Sequence, residues 1–126
     1  MRTVVLTCLL GLLIAAPVAQ AAKTHKVDAR GKITLNSSGV SIELRGKPFK
    51  HCRGFLIPTG PKKSVMTAKC THGSVTVSTR ETNASGSRGT WKLVTGSKRY
   101  RHAKASGRYS GSFVTFRIRF TGTIRF

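Results

Sequence analysis

The sequence predicts an all-β protein: a single antiparallel β-barrel of about eight strands with one disulfide, or alternatively a β-sandwich. Apolar and polar residues alternate with a period of two in several segments, which is typical of strands with one buried face. Clusters of Gly, Pro, Asn and Ser separate these segments, and no segment has a helical period. Short strands joined by frequent turns are typical of closed barrels and of sandwiches.

The first residues have the pattern of a secretory signal peptide, predicted to span 1–21. Arg2 supplies the positive charge, residues 4–16 are apolar, and the Ala-Gln-Ala of 19–21 fits the cleavage rule. The apolar run is shorter than the roughly 20 residues that a membrane-spanning helix needs. We therefore expect a secreted protein, extracellular or periplasmic, with no transmembrane segment and one domain at residues 22–126.

The first hairpin of that domain is predicted from two alternating segments. Ile33 and Leu35 alternate with polar neighbours, and Val40, Ile42 and Leu44 do so after the turn residues NSSG. The segments therefore share an apolar and a polar face.

Further strands are predicted along the middle of the chain. They are a short apolar strand at 55–57 closed by the PTGP turn, and strands at 65–70, 74–80 and around Trp91 and Leu93. Residues 83–89 read as a loop, and 97–107 as a basic, irregular stretch.

The last segment, FRIRFTGTIRF, gives the clearest prediction. The residues on one face of this strand are Phe116, Ile118, Phe120, Gly122, Ile124 and Phe126. The other face carries Arg117, Arg119, Thr121, Thr123 and Arg125. Burying an unpaired guanidinium costs far more than exposing an aliphatic side chain. The Phe/Ile face is therefore expected in the core, with a bend or bulge at Gly122.

The charge of the chain is strongly one-sided. There are 23 Lys and Arg residues against three acids, Asp28, Glu43 and Glu81, and the formal net charge is +20. Removing Arg2 with the signal peptide leaves 22 cations and a net charge of +19. Most cations must therefore face water and repel each other, which favours a polyanionic partner over a surface that is only solvated.

The predicted binding region is the basic stretch KRYRHAK with the residues that follow it. Arginine forks grip phosphate or sulfate, and tyrosines stack on bases or sugars. The candidate polyanion-binding residues are Lys98, Arg99, Tyr100, Arg101, Lys104, Arg108, Arg117, Arg119 and Arg125. The expected partner is a cell-envelope polymer, nucleic acid, glycan or anionic lipid surface. The alternative is a solvated loop whose cations prevent edge-strand aggregation.

The cysteines predict one disulfide. Cys8 should leave with the signal peptide, so Cys52 and Cys70 remain to pair in an oxidising compartment. A zinc site with His51 and His72 is the alternative, but the C-x-x-C spacing of structural zinc sites is absent. We predict no metal and no cofactor.

No catalytic motif stands out, so we predict no catalytic residues and a non-enzymatic binding protein. A phosphodiester-cleaving enzyme remains an alternative, because His102 lies among cations in KRYRHAK.

The C-terminal third carries a family resemblance. The stretch GTWKLVTGSKRYRHAKASGRYSG, followed by FTGTIRF, resembles a bacterial secreted family with a GTW-x-x-x-x-GTG-x-Y/F-x-G-x-x-G-x-G-x-Y-x-G pattern. That pattern is similar to the Gly-rich stretch of the plant allene oxide cyclase and dirigent barrels. PFKHC and the later Cys70 also look like these bacterial proteins. The resemblance implies an eight-stranded antiparallel barrel, and it suggests binding of a small apolar ligand as the alternative function.

Overall fold

The protein is one closed antiparallel β-barrel of eight strands. A computed structural model describes residues 23–37, 39–112 and 115–126, so the predicted signal peptide lies outside the described residues. Each strand pairs with its sequence neighbours, and β8 pairs with β1 to close the barrel. The strands are β1 (Thr24–Asn36), β2 (Gly39–Lys47), β3 (Lys50–Gly60), β4 (Lys63–Cys70), β5 (Gly73–Glu81), β6 (Arg88–Gly96), β7 (Lys104–Ser112) and β8 (Arg117–Arg125). The predicted barrel is confirmed.

The barrel interior is filled by its own side chains. Every second residue of the strands points inward, and the buried residues include Trp91 and Phe120, whose rings meet edge to face 6.2 Å apart. Trp91 is 3% exposed and donates its indole N–H to the Thr121 carbonyl oxygen at 3.0 Å. The cavity left at the centre measures only about 10 Å³. Trp91 and Leu93 both lie in the core.

The last strand has the two faces that its alternation predicts, except at its start. Phe120 and Ile124 are buried, and Ile118 and Phe126 are half-buried against the core. Phe116 was expected inside, and that expectation is wrong, because it is 38% exposed. It precedes the first residue of β8 and has a φ of 55°, so the strand alternation does not extend to it.

Gly122 lies at a close approach of the β7 and β8 backbones. It is the register partner of Gly107, and a Cβ on Gly107 would collide with the Thr121 carbonyl oxygen. Gly122 itself has a φ of +152°, which side chains rarely tolerate. The pairing register is continuous through Gly122 on both of its neighbours, so the predicted position carries an unusual φ but no bulge.

The basic stretch predicted as irregular is partly a strand. Its first residues form a single 3-10 turn, Lys98–Tyr100, and its last four belong to β7. Two other strands are longer than their apolar runs indicated, since β1 has 13 residues and β3 has 11. The apolar runs underestimated the lengths of these strands, because backbone hydrogen bonds between neighbouring strands continue through polar residues. The described part of the chain contains no helix long and apolar enough to cross a membrane.

The two ends of the barrel differ. One end carries the connections β2–β3, β4–β5 and β6–β7; we call it the capped end, because the 3-10 turn packs there. Cys52 and Cys70 lie near it as direct partners on β3 and β4, and they form the predicted disulfide. The opposite end carries the connections β1–β2, β3–β4, β5–β6 and β7–β8. The exposed Leu35 and Phe116 lie there, so we call it the apolar end.

Candidate anion-binding surface

A basic groove lies on the outer wall of the barrel, across β1, β2 and the β6–β8 side. We call it the wall groove. It has a volume of about 760 Å³. Its lining combines six cations with one carboxylate, Glu43, and four hydroxyl side chains. The six cations are Arg30, Lys32, Arg45, Arg88, Arg117 and Arg119. Six cations against one carboxylate leave positive charge in excess in this lining, which suits an anionic ligand.

Strand register explains why these cations meet. Arg30 on β1 is the direct partner of Arg45 on β2 and of Arg119 on β8, which makes a row of three arginines across three strands. Lys32, two residues along, is the direct partner of Arg117. Directly opposed side chains lie about 5 Å apart at their Cβ atoms, and like charges there destabilise the sheet. The fold therefore retains an electrostatic cost in this groove.

The carboxylates offset only part of that cost. Arg119 donates two hydrogen bonds of 3.1 Å to the Asp28 carboxylate, from Nε to Oδ1 and from Nη2 to Oδ2. These bonds hold the pKa of Asp28 below its ordinary value. Arg45 is paired with Glu43 at 3.3 Å. In the described residues, which include all three acids of the chain, Arg30 has no carboxylate within salt-bridge distance.

Glu43 is shared among several groups rather than reserved for the groove. His51 Nε2 lies 3.2 Å from its Oε1, and Arg53 Nε lies 3.6 Å from its Oε2. The imidazole of His51, followed by the charge of Arg53, lowers the pKa of Glu43. Glu43 therefore stays ionised at neutral pH, but it neutralises only one edge of the groove.

Replacing Asp28 with asparagine is expected to strengthen anion binding in the wall groove. The substitution removes the carboxylate that holds Arg119, so the guanidinium fork becomes available to a ligand. We expect elution from a heparin column at higher salt than the unmodified protein. Glu81→Gln changes the net charge equally but touches no groove cation, so it serves as the control. Equal shifts for both variants would contradict the prediction.

The same pair predicts a pH dependence of Arg119 availability. Because the pKa of Asp28 is lowered in the folded protein, the pairing is present at neutral pH and is lost as the pH falls through that pKa.

A second basic groove lies nearer the capped end and is called here the loop groove. It has a volume of about 850 Å³. Its charged lining consists of Lys92, Arg101, Lys104 and Arg125, and the imidazole of His102 joins them. Lys104 and Arg125 are direct partners across β7 and β8. The loop groove has no carboxylate in its lining.

The predicted role of Tyr100 needs correction. Its ring is fully buried, packed against Phe49 and Phe126 at centroid distances of 5.6 and 6.1 Å. Burial raises the pKa of its hydroxyl. Tyr109 is buried too, against Phe120. Neither ring can stack on a base or a sugar in this conformation, because strand alternation turns Tyr109 inward on β7 and the 3-10 turn directs Tyr100 into the core.

The other predicted residues fall into separate regions. Arg117 and Arg119 line the wall groove, whereas Arg101, Lys104 and Arg125 line the loop groove. Lys98, Arg99 and Arg108 are exposed but line neither groove, and the Arg99 guanidinium lies 4.7 Å from the Phe126 ring centroid. Residues 117 and 125 are eight positions apart on β8, about 27 Å along a strand. The predicted residues therefore do not form a single patch: they are divided between two grooves, and three of the cations lie outside both.

The sequence prediction missed five groove cations: Arg30, Lys32, Arg45, Arg88 and Lys92. Their outward positions follow from strand alternation, which was visible. Their convergence follows from the pairing of β1 with β8, the first and last strands, and no local pattern encodes that pairing.

The fold and these grooves define a class: a small, cationic, eight-stranded antiparallel β-barrel with a filled interior and a basic outer wall. In comparisons with known proteins, no family model matches this chain, and no curated protein is significantly similar to it. The resemblance to allene oxide cyclase and dirigent barrels therefore stays a prediction, although the eight-stranded barrel that it implied is present.

Proposed function

We propose that this protein is a secreted, non-enzymatic binding protein for anionic polymers or surfaces, with the wall groove as its principal contact. The observation that carries the proposal is the in-register row Arg45–Arg30–Arg119, continued by Lys32 and Arg117. Stacking like charges across three strands costs stability. A multivalent anion bound along the groove would offset the repulsion between these cations by attraction to its own charges, and its counterions would be released.

The contents of the barrel favour this function over the alternative. A small apolar ligand needs a cavity of roughly 300–1,000 Å³. The central cavity of this barrel is about 10 Å³, and a second one, at the apolar end, is about 110 Å³. The two basic grooves, by contrast, are open on the outer wall and large enough for several phosphate or sulfate groups. The loop groove is the second contact of the proposed function.

Removing three wall-groove cations is expected to weaken polyanion binding more than removing three cations elsewhere on the barrel. The variant is Arg30→Gln, Lys32→Gln and Arg117→Gln combined. Each lost phosphate contact reduces the slope of log K against log salt by about one. We expect the slope for a DNA duplex to fall by about three, measured by fluorescence anisotropy titrations between 50 and 300 mM salt.

The control keeps the net charge and changes the position. Lys26→Gln, Lys47→Gln and Lys69→Gln combined remove three cations that line neither groove. The two triple variants have the same net charge, so only the location of the cations differs. Equal slopes for the two variants would mean that the charge acts as a diffuse field, and the wall groove would lose its role. Elution of the unmodified protein from heparin below physiological salt would overturn the proposed function itself.

A further inference from the structure

Several large apolar side chains at the apolar end of the barrel are exposed to solvent. Leu35 at the barrel mouth is 58% exposed, and Phe55 and Ile57, which point outward from the wall on β3, are each 56% exposed. Ile57 is the direct partner of the half-buried Val65 on β4, so apolar residues continue across the outer face of the β3–β4 hairpin. Phe116, whose carbonyl oxygen accepts a hydrogen bond from the Ile33 amide at 2.7 Å, adds a ring beside β1. Clustered exposed apolar residues of this kind mark interaction sites.

Cations surround this apolar end. Lys62 and Lys63 lie at the β3–β4 turn beside Ile57, and Arg80 is the direct partner of Lys63. Lys32, Arg88 and Arg117 complete the set on the β1, β6 and β8 side, where the wall groove reaches the same end. All six are exposed. Two acids lie near them: Glu81, and Glu43, which is the direct partner of Lys32 on β2. We call these six cations the collar.

An apolar tip with a cationic collar matches the chemistry of an anionic lipid bilayer. Such a surface offers an apolar layer beneath a plane of negative headgroups. A second copy of the chain is a poor occupant, since it presents a collar of the same sign and a formal charge of +20. A nucleic acid would use the cations but would leave Leu35, Phe55 and Ile57 in water.

We propose that the apolar end docks on anionic lipid bilayers, with Leu35, Phe55 and Ile57 entering the headgroup boundary and the collar contacting lipid phosphates. The proposal rests on the proposed function and names its target as a lipid surface. Each cation near an anionic leaflet strengthens binding by about fivefold, and the apolar side chains add a contribution that salt does not screen. In this orientation, the three collar cations that also line the wall groove, Lys32, Arg88 and Arg117, face the lipid headgroups.

The test follows one added tryptophan at two positions of matched exposure. Ile57 lies in the proposed contact, whereas Val94, also 56% exposed, lies on β6 in the lining of the loop groove towards the capped end, so a shift there would report docking through the loop groove instead. Ile57→Trp and Val94→Trp are prepared in residues 22–126, which contain all eight strands and lack the apolar signal peptide. Each is titrated with phosphatidylcholine vesicles, with and without 30% phosphatidylglycerol, at 150 mM salt. Trp91 is buried in both variants and gives a constant background.

We expect a blue shift of the emission of the Ile57→Trp variant with the anionic vesicles only, and none for Val94→Trp. Shifts at both positions, or at neither while the protein sediments with the vesicles, would overturn the docking orientation. Phe55→Ser combined with Ile57→Ser is expected to weaken vesicle binding about tenfold and to leave retention on heparin unchanged.

The outcomes separate the two proposals. Unchanged vesicle binding by the double serine variant would overturn the inference and leave the proposed function intact. Tighter binding to duplex DNA than to anionic vesicles at equal salt would also overturn the inference and leave the proposed function intact. Failure of the unmodified protein to bind vesicles, heparin and DNA would overturn both.

Discussion

Replacing Phe120 with alanine is expected to lower the free energy of unfolding by about 3–5 kcal/mol. The ring is 3% exposed and lies between Trp91 and Tyr109, at centroid distances of 6.2 and 6.0 Å. Its removal deletes apolar contacts and leaves a void among rings that strand pairing holds in place. For a domain whose total stability is about 5–15 kcal/mol, that loss is large. Urea unfolding followed by Trp91 fluorescence measures it.

Phe116→Ala is the matched control for this prediction. Both phenylalanines occupy the same row of the period-two pattern, but Phe116 is 38% exposed and precedes β8. We expect its substitution to cost less than about 1 kcal/mol. Comparable losses from the two variants would mean that the faces of the last strand are wrongly assigned, and with them the outward direction of Arg117 and Arg119.

The barrel was predictable because its signals are local. A side chain that points inward must be apolar, so the alternation in β2, β5 and β8 reveals the strands and their faces directly. Turn residues such as the NSSG of 36–39 reveal where the strands end. The start of β1 and much of β7 were missed because polar and small residues occupy them. Their strand conformation depends on neighbours far along the chain.

The candidate site was less predictable because it depends on register between distant strands. The basic stretch of 98–104 drew attention through its density, whereas the wall groove collects cations from four strands. Arg30 and Arg119 are 89 positions apart in sequence and direct partners in the barrel. The density of cations in the sequence also does not show which way each side chain points. Tyr100 lies among four cations in the sequence, yet its ring is buried under the capped end.

Loss of the disulfide is expected to reduce stability by about 3 kcal/mol, with a fall in Tm of more than about 10 °C. Cys52 and Cys70 are 18 residues apart, and the chain-entropy model gives this value for a loop of that length. The variant is Cys52→Ala combined with Cys70→Ala, compared with the unmodified protein by thermal unfolding. The cysteines are direct partners on adjacent strands, so the ladder that aligns them remains without the bond.

Because the bond mainly restricts the unfolded chain, the folded double variant should keep its binding surface. Neither cysteine lines the wall groove or the loop groove, so retention on heparin at 20 °C should equal that of the unmodified protein. Treating the unmodified protein with reductant should reproduce the fall in Tm without a mutation. Loss of heparin retention in a variant that still shows native Trp91 emission would instead mean that the disulfide shapes the cationic wall directly. An unchanged Tm would mean that the β3–β4 ladder alone holds this hairpin as firmly as the covalent bond does.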